Sequence, residues 1–122
     1  MVLLRESRYS LRVLHVVRVV HLAFVYYINS MAITWADSAD KHDVPREDAL
    51  HAIVNAYFHR AGFDEPRVPG GVRPDLYIGP PRKLGGPLLE VMVEILPPRG
   101  VHIFHVMQAR SKHLTLMKEE QG

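Results

Sequence analysis

Eight histidines are spread along this 122-residue chain, and basic and imidazole residues gather in several short groups after residue 40. The groups are Lys41-His42, Arg82-Lys83, His105, Arg110 and Lys112-His113. Imidazole exchanges protons near neutral pH, and guanidinium and ammonium groups neutralise phosphate. Metal-free cleavage of an RNA phosphodiester asks for this set: a base for the 2′-hydroxyl, cations for the phosphate and an acid for the leaving oxygen. Taken singly, each of these residues is also an ordinary solvated surface side chain.

Other chemistries find less support. The chain has no cysteine, which excludes disulfides, thiolate nucleophiles and thiolate metal sites. No Walker loop, GxSxG, HExxH or GxGxxG pattern occurs. His102 and His105 are three apart on an expected strand, so regular alternation sends them to opposite faces. His51 and His59 are eight apart on an expected helix, roughly 12 Å along its axis and too far for one ion. No metal and no cofactor is therefore expected. Glu90 and Glu94 share a strand face about 13 Å apart, which suits solvent-facing charges better than a catalytic pair, although Met92 between them argues for partial cover.

Charge and composition divide the chain near Met31. Residues 1–30 carry four arginines against one glutamate, a net +3, while the remainder holds eleven basic and twelve acidic residues, a net −1. Residues 1–30 read as a leader: an over-extended start, an amphipathic or membrane-associated helix, or a secretion signal. Residues 31–122 read as one soluble, cytoplasmic α+β domain, with membrane association only if the leader is genuine. A near-neutral domain needs a local patch for any nucleic-acid contact.

The elements that would position the candidate residues follow from pattern. Ile33-Thr34-Trp35 is a short opening strand, and Asp37 and Ser38 cap a polar helical turn ending near His42. Pro45 opens a second helix that runs through ALHAIVNAYF to Gly62, with Ala49, Ile53, Ala56 and Tyr57 on its apolar face. Residues 63–74 are an ordered loop or irregular edge strand, and Asp75–Ile78 is a strand. Leu88–Leu96 and Val101–Ala109 alternate strongly and are joined by a turn at Pro97-Pro98. Ser111 caps a last helix whose Leu114 and Met117 face inward. The expected fold is α+β: a small antiparallel sheet of three to four strands, two N-terminal helices and one short C-terminal helix.

The order of several short motifs resembles that of BrnT-like toxins. Ile33-Thr34-Trp35 precedes Lys41-His42-x-Val44-x-x-Glu47-Asp48-Ala49, then come Leu76-Tyr77-Ile78-Gly79, Leu88-Leu89-x-Val91-x-Val93 and His105-Val106-Met107-Gln108-Ala109-Arg110. Asp43 stands where that family usually has glycine, Gln108 where serine is usual, and His105 where arginine is common. The resemblance implies a RelE-like fold and a metal-independent endoribonuclease toxin, held inactive by a cognate antitoxin protein. Lys41, His42 and Arg110 match family positions, and His105 enters by replacement. Arg110 and Lys41 would then bind phosphate, with His105 or His42 as acid or base and RNA as substrate. Two alternatives stay open: a non-catalytic protein-binding module using the face of Glu90, Met92 and Glu94, and a membrane-anchored domain should residues 1–30 be genuine.

Overall fold

Alternation in the two strongest strand patterns produces the centre of a sheet. The computed structural model describes residues 32–98 and 100–121, so the readings of residues 1–30 lie outside them. The strands are β1 (Ala32–Trp35), β2 (Phe58–Arg60), β3 (Asp75–Gly79), β4 (Leu89–Leu96) and β5 (Gly100–Gln108). A 3₁₀ turn spans Asp37–Asp40, and the helices are α1 (Arg46–Val54) and α2 (Ser111–Gln121). Residues 32–122 group as one compact unit.

The sheet order is β1-β5-β4-β3-β2. Every neighbouring pair is antiparallel except β1 with β5, which is parallel, so the sheet is mixed and five-stranded. The α+β class stands, while the count of three to four antiparallel strands is corrected. The extra strand was hidden in the predicted helix. Asn55 ends α1, its backbone and side-chain nitrogens both turned to the His51 carbonyl, and the Tyr57 amide already donates to Ile78 on the sheet. The aromatic run after Ala56 suits an edge strand better than a helix. Tyr57 is accordingly 58% exposed instead of lying on an apolar helix face. The first of the two expected N-terminal helices is only the 3₁₀ turn, with no side-chain cap. Ser38 instead donates its hydroxyl to the Phe104 carbonyl at 2.6 Å, fastening the turn to β5.

Both faces of the sheet are covered. Leu76, Ile78 and Met92 cluster with Phe58, Ala109 and Met117, which places α2 over that face. Leu114 packs against the same cluster, so the inward residues of α2 are those its pattern predicted. Gly79 points the other way, as alternation requires, and an added Cβ there would collide with the Ala52 carbonyl of α1. Ala49, Ala52 and Ile53 of α1 are buried on that side.

A bulge in β5 changes which residues share a face. Met92 pairs with His105 but Val93 pairs with Ile103, leaving Phe104 as an extra residue. Beyond the bulge, Glu94 pairs with His102. Because Met92 and Glu94 lie two apart on β4, His102 and His105 share the α2 face, contrary to the regular alternation expected from sequence.

Two substitutions test these contacts. Gly79→Ala should destabilise the protein by about 1–3 kcal/mol, because the sheet and α1 must separate to admit the methyl group. Asp43 holds a left-handed backbone with φ of 58°, so Asp43→Gly should change stability by less than about 1 kcal/mol. Urea denaturation of both variants measures the difference; an unperturbed Gly79→Ala protein would refute the close α1 packing.

Candidate functional site

The residue around which the candidate site forms is one that sequence reasoning had assigned to solvent. Glu90 lies mid-sheet on β4, between Ile78 of β3 and Met107 of β5, and is 0% exposed. Alternation put it on the face the sequence suggested, but α2 covers that face. Met92 is buried beside it, so the surface proposed for a protein-binding module is not an exposed face. Glu94, near the open end of the strand, meets Arg67 at 3.2 Å.

Five hydrogen bonds converge on the Glu90 carboxylate. Oε2 accepts from His105 Nε2 at 2.7 Å, Arg110 Nη2 at 2.7 Å and Arg110 Nε at 3.0 Å. Oε1 accepts from the Arg110 backbone amide at 2.8 Å and from His113 Nδ1 at 2.7 Å. The local chain explains this convergence. Ala109 continues the ladder by donating to Leu88, and the amides of His113 and Leu114 then turn back to the Arg110 carbonyl to start α2. The carboxylate therefore sits at the start of a helix, where backbone amides and the helix dipole favour negative charge.

Burial pushes the Glu90 pKa upward, but hydrogen bonds from His105, Arg110 and His113 outweigh it and hold the carboxyl well below the usual range. An ionised carboxylate only accepts, so both imidazoles must donate to it. That fixes His105 with its proton on Nε2 and His113 with its proton on Nδ1. His105 Nδ1 and His113 Nε2 make no hydrogen bond among the described residues. Arg110 uses Nε and Nη2 on Glu90, and its Nη1 is likewise uncommitted there. The arrangement resembles the orientation of a catalytic imidazole by a buried carboxylate.

These groups open onto a cleft of about 700 Å³ lined by Phe63, Met92, His105, Arg110, Lys112 and His113, among others. The His105 and Arg110 side chains are 20% and 41% exposed, and His113 is a nearly enclosed residue of the wall. The remaining predicted residues come from the turn after the 3₁₀ segment. His42 lies edge-on to His105, ring centroids 6.3 Å apart, and Lys41 precedes it in the same exposed turn. Arg82 and Lys83 are not part of this grouping. Arg82 is tied through its amide and Nε to Asp48 of α1, on the other side of the sheet.

Of the residues named from sequence, His105 and Arg110 meet at Glu90 with His42 and Lys41 in the neighbouring turn, whereas Glu90 itself and the bond His113 makes to it were missed. The available signal for Glu90 was its position between Leu88 and Met92, an acid flanked by apolar residues on one face. Among the described residues, no group of three histidine or acidic side chains is placed to hold a metal ion, and no helix is long and apolar enough to cross a membrane.

The depressed Glu90 pKa carries a defined sign. Its stabilising contribution is present above the ordinary carboxylate range and is lost progressively as pH falls below about 4.5. Melting temperatures measured from pH 7 down to pH 3 should therefore fall more steeply for the native protein than for Glu90→Gln. At pH 7 the variant should be destabilised by roughly 2–4 kcal/mol, because its buried donors lose their charged acceptor. Parallel acid profiles for the two proteins would contradict the network. No family model, curated protein or solved structure matches this chain, so its function must be read from this geometry and from the order of its motifs.

Proposed function

We propose that the chain is a metal-independent endoribonuclease toxin of the BrnT-like kind, with the Glu90 cleft as its active site. The observation that carries this reading is a fully buried carboxylate that aims two imidazoles and a guanidinium at one open cleft. Stability alone is a poor reason for such a cluster, since a well-packed apolar group generally serves a core as well or better. Ionisable groups perturbed by burial and specific partners in a cleft are the usual mark of a functional site.

Arg110 binds the scissile phosphate through the donors that Glu90 leaves free, and Lys41 adds a second cation from the turn beside His42. His105 takes or delivers the proton through Nδ1, the nitrogen opposite the one held by Glu90. His42, next to His105, completes the set of candidate acid–base groups. The motif order supports the same family, as does Asp43: it adopts the left-handed backbone that glycine favours, at the position where the family usually has glycine. In this reading RNA is the substrate and a cognate antitoxin protein covers the cleft until it is released. The finer assignment to a RelE-like fold belongs to this proposal.

Inducing the protein in bacteria should arrest growth, and the purified protein should cleave RNA in the presence of EDTA. Arg110→Ala should lose activity by on the order of a hundredfold, because a cation that stabilises developing phosphate charge is removed. His105→Ala should lose roughly 10²–10⁴-fold as a proton-transfer group. Arg82→Ala, whose partner lies on α1, should retain activity. Growth arrest and cleavage that persist in folded Arg110→Ala and His105→Ala proteins would rule out this site, and an inactive native protein would rule out the ribonuclease.

A further inference from the structure

His113 lies on the first turn of α2 and is 4% exposed, which by itself reads as a structural histidine of a helix–sheet junction. Its bonding says otherwise. Nδ1 is committed to Glu90 Oε1 at 2.7 Å, and the Phe63 ring stands edge-on to the imidazole with centroids 5.2 Å apart. Nε2 has no hydrogen-bond partner among the described residues, yet it is not a sealed buried atom, and the residue lines the cleft. A nearly buried imidazole with one nitrogen anchored and the other left open to a cavity is unexpected for a packing role, because enclosed polar groups are normally paired.

We propose that His113 is a catalytic residue, and that it forms with His105 the acid–base pair that acts on one phosphodiester. The proposal rests on the ribonuclease reading of the cleft. His105 reaches Glu90 from β5 and His113 from α2, on opposite carboxylate oxygens, with the Arg110 guanidinium bonded to the same group. A phosphate on Arg110 therefore has an imidazole from each element beside it. One imidazole takes the proton of the 2′-hydroxyl as the O2′–P bond forms. The other, protonated, gives its proton to O5′ as the P–O5′ bond breaks. The products are a 2′,3′-cyclic phosphate and a 5′-hydroxyl, and the two imidazoles exchange protonation states and are reset by water. Glu90 is the positioning residue for both and stabilises whichever is cationic. The titratable and charged groups facing this pair are Glu90 from β4, His42 from the turn after the 3₁₀ segment, Arg110, Lys112 and Glu119 from the α2 segment, and Asp64 from the loop wall.

The test uses the full chain, a ribodinucleotide, and the same dinucleotide with sulfur in place of O5′, a leaving group that needs no acid. His113→Asn keeps an N–H at the position of Nδ1 and so preserves the bond to Glu90 while removing the titrating nitrogen; His105→Gln does the same for Nε2. The native enzyme should give a bell-shaped dependence of kcat/KM on pH. His113→Asn should lose about a hundredfold or more on the ordinary substrate and one limb of the bell, with His105→Gln losing the other limb. The variant that lacks the acid should cleave the sulfur substrate within a few fold of the native rate. A His113→Asn protein that keeps both limbs, whether at full rate or uniformly slowed, overturns the pair and leaves the ribonuclease reading intact. A native protein that cleaves neither substrate overturns both.

Discussion

A single buried carboxylate organises this protein. Glu90 stands at the middle of a five-stranded sheet with no exposure to water, where an unpaired charge would cost several kcal/mol. Its position is tolerable only because β5, the Arg110 junction and α2 all deliver donors to it. Those same contacts fix how α2 leaves the sheet and which imidazole nitrogens remain open. The requirement for charge compensation thus becomes the means of orienting two imidazoles and a guanidinium.

The rest of the fold serves that arrangement. The β5 bulge turns His105 onto the face of Met92 and Glu90, while Ile103 and Val106 stay buried on the α1 side. The 3₁₀ turn is held to β5 by the Ala36 amide and the Ser38 hydroxyl, which brings His42 to the edge of the His105 ring. At the far end, Arg60 of β2 pairs with Glu120, and Gln121 donates to the Tyr57 carbonyl at 2.9 Å, so the short edge strand secures the end of α2. The Phe58–Met117 cluster packs between these two anchors.

Periodicity made β3, β4, β5 and α2 legible, because each strand alternates and the helix repeats its apolar positions within the expected spacing. It failed where tertiary contacts decide. The aromatic stretch at Tyr57–Arg60 continues a helical pattern on paper, but the free edge of β3 captures it as a strand. A bulge leaves no mark in the sequence, so the common face of His102 and His105 could not be read from their spacing. Glu90 looked solvated because a strand pattern shows which residues share a face, not whether a helix that begins at Ser111 will cover it. His105 and Arg110 were visible because their side-chain chemistry and motif position pointed the same way. His113 was visible only as a basic neighbour of Lys112.

The histidine tautomers give the most direct test of the account, because they report whether Glu90 accepts a hydrogen bond from each ring. Long-range ¹H–¹⁵N NMR at neutral pH distinguishes the two nitrogens of every imidazole. His105 should always hold a proton on Nε2 and His113 one on Nδ1, so that His113 shows the less common tautomer whenever its ring is neutral. Both patterns should be disturbed in Glu90→Gln, and adding an uncleavable 2′-O-methyl oligonucleotide should shift His105 Nδ1 and His113 Nε2. A neutral His113 with its lone proton on Nε2, or a neutral His105 with its lone proton on Nδ1, would contradict the arrangement on which the proposed chemistry depends.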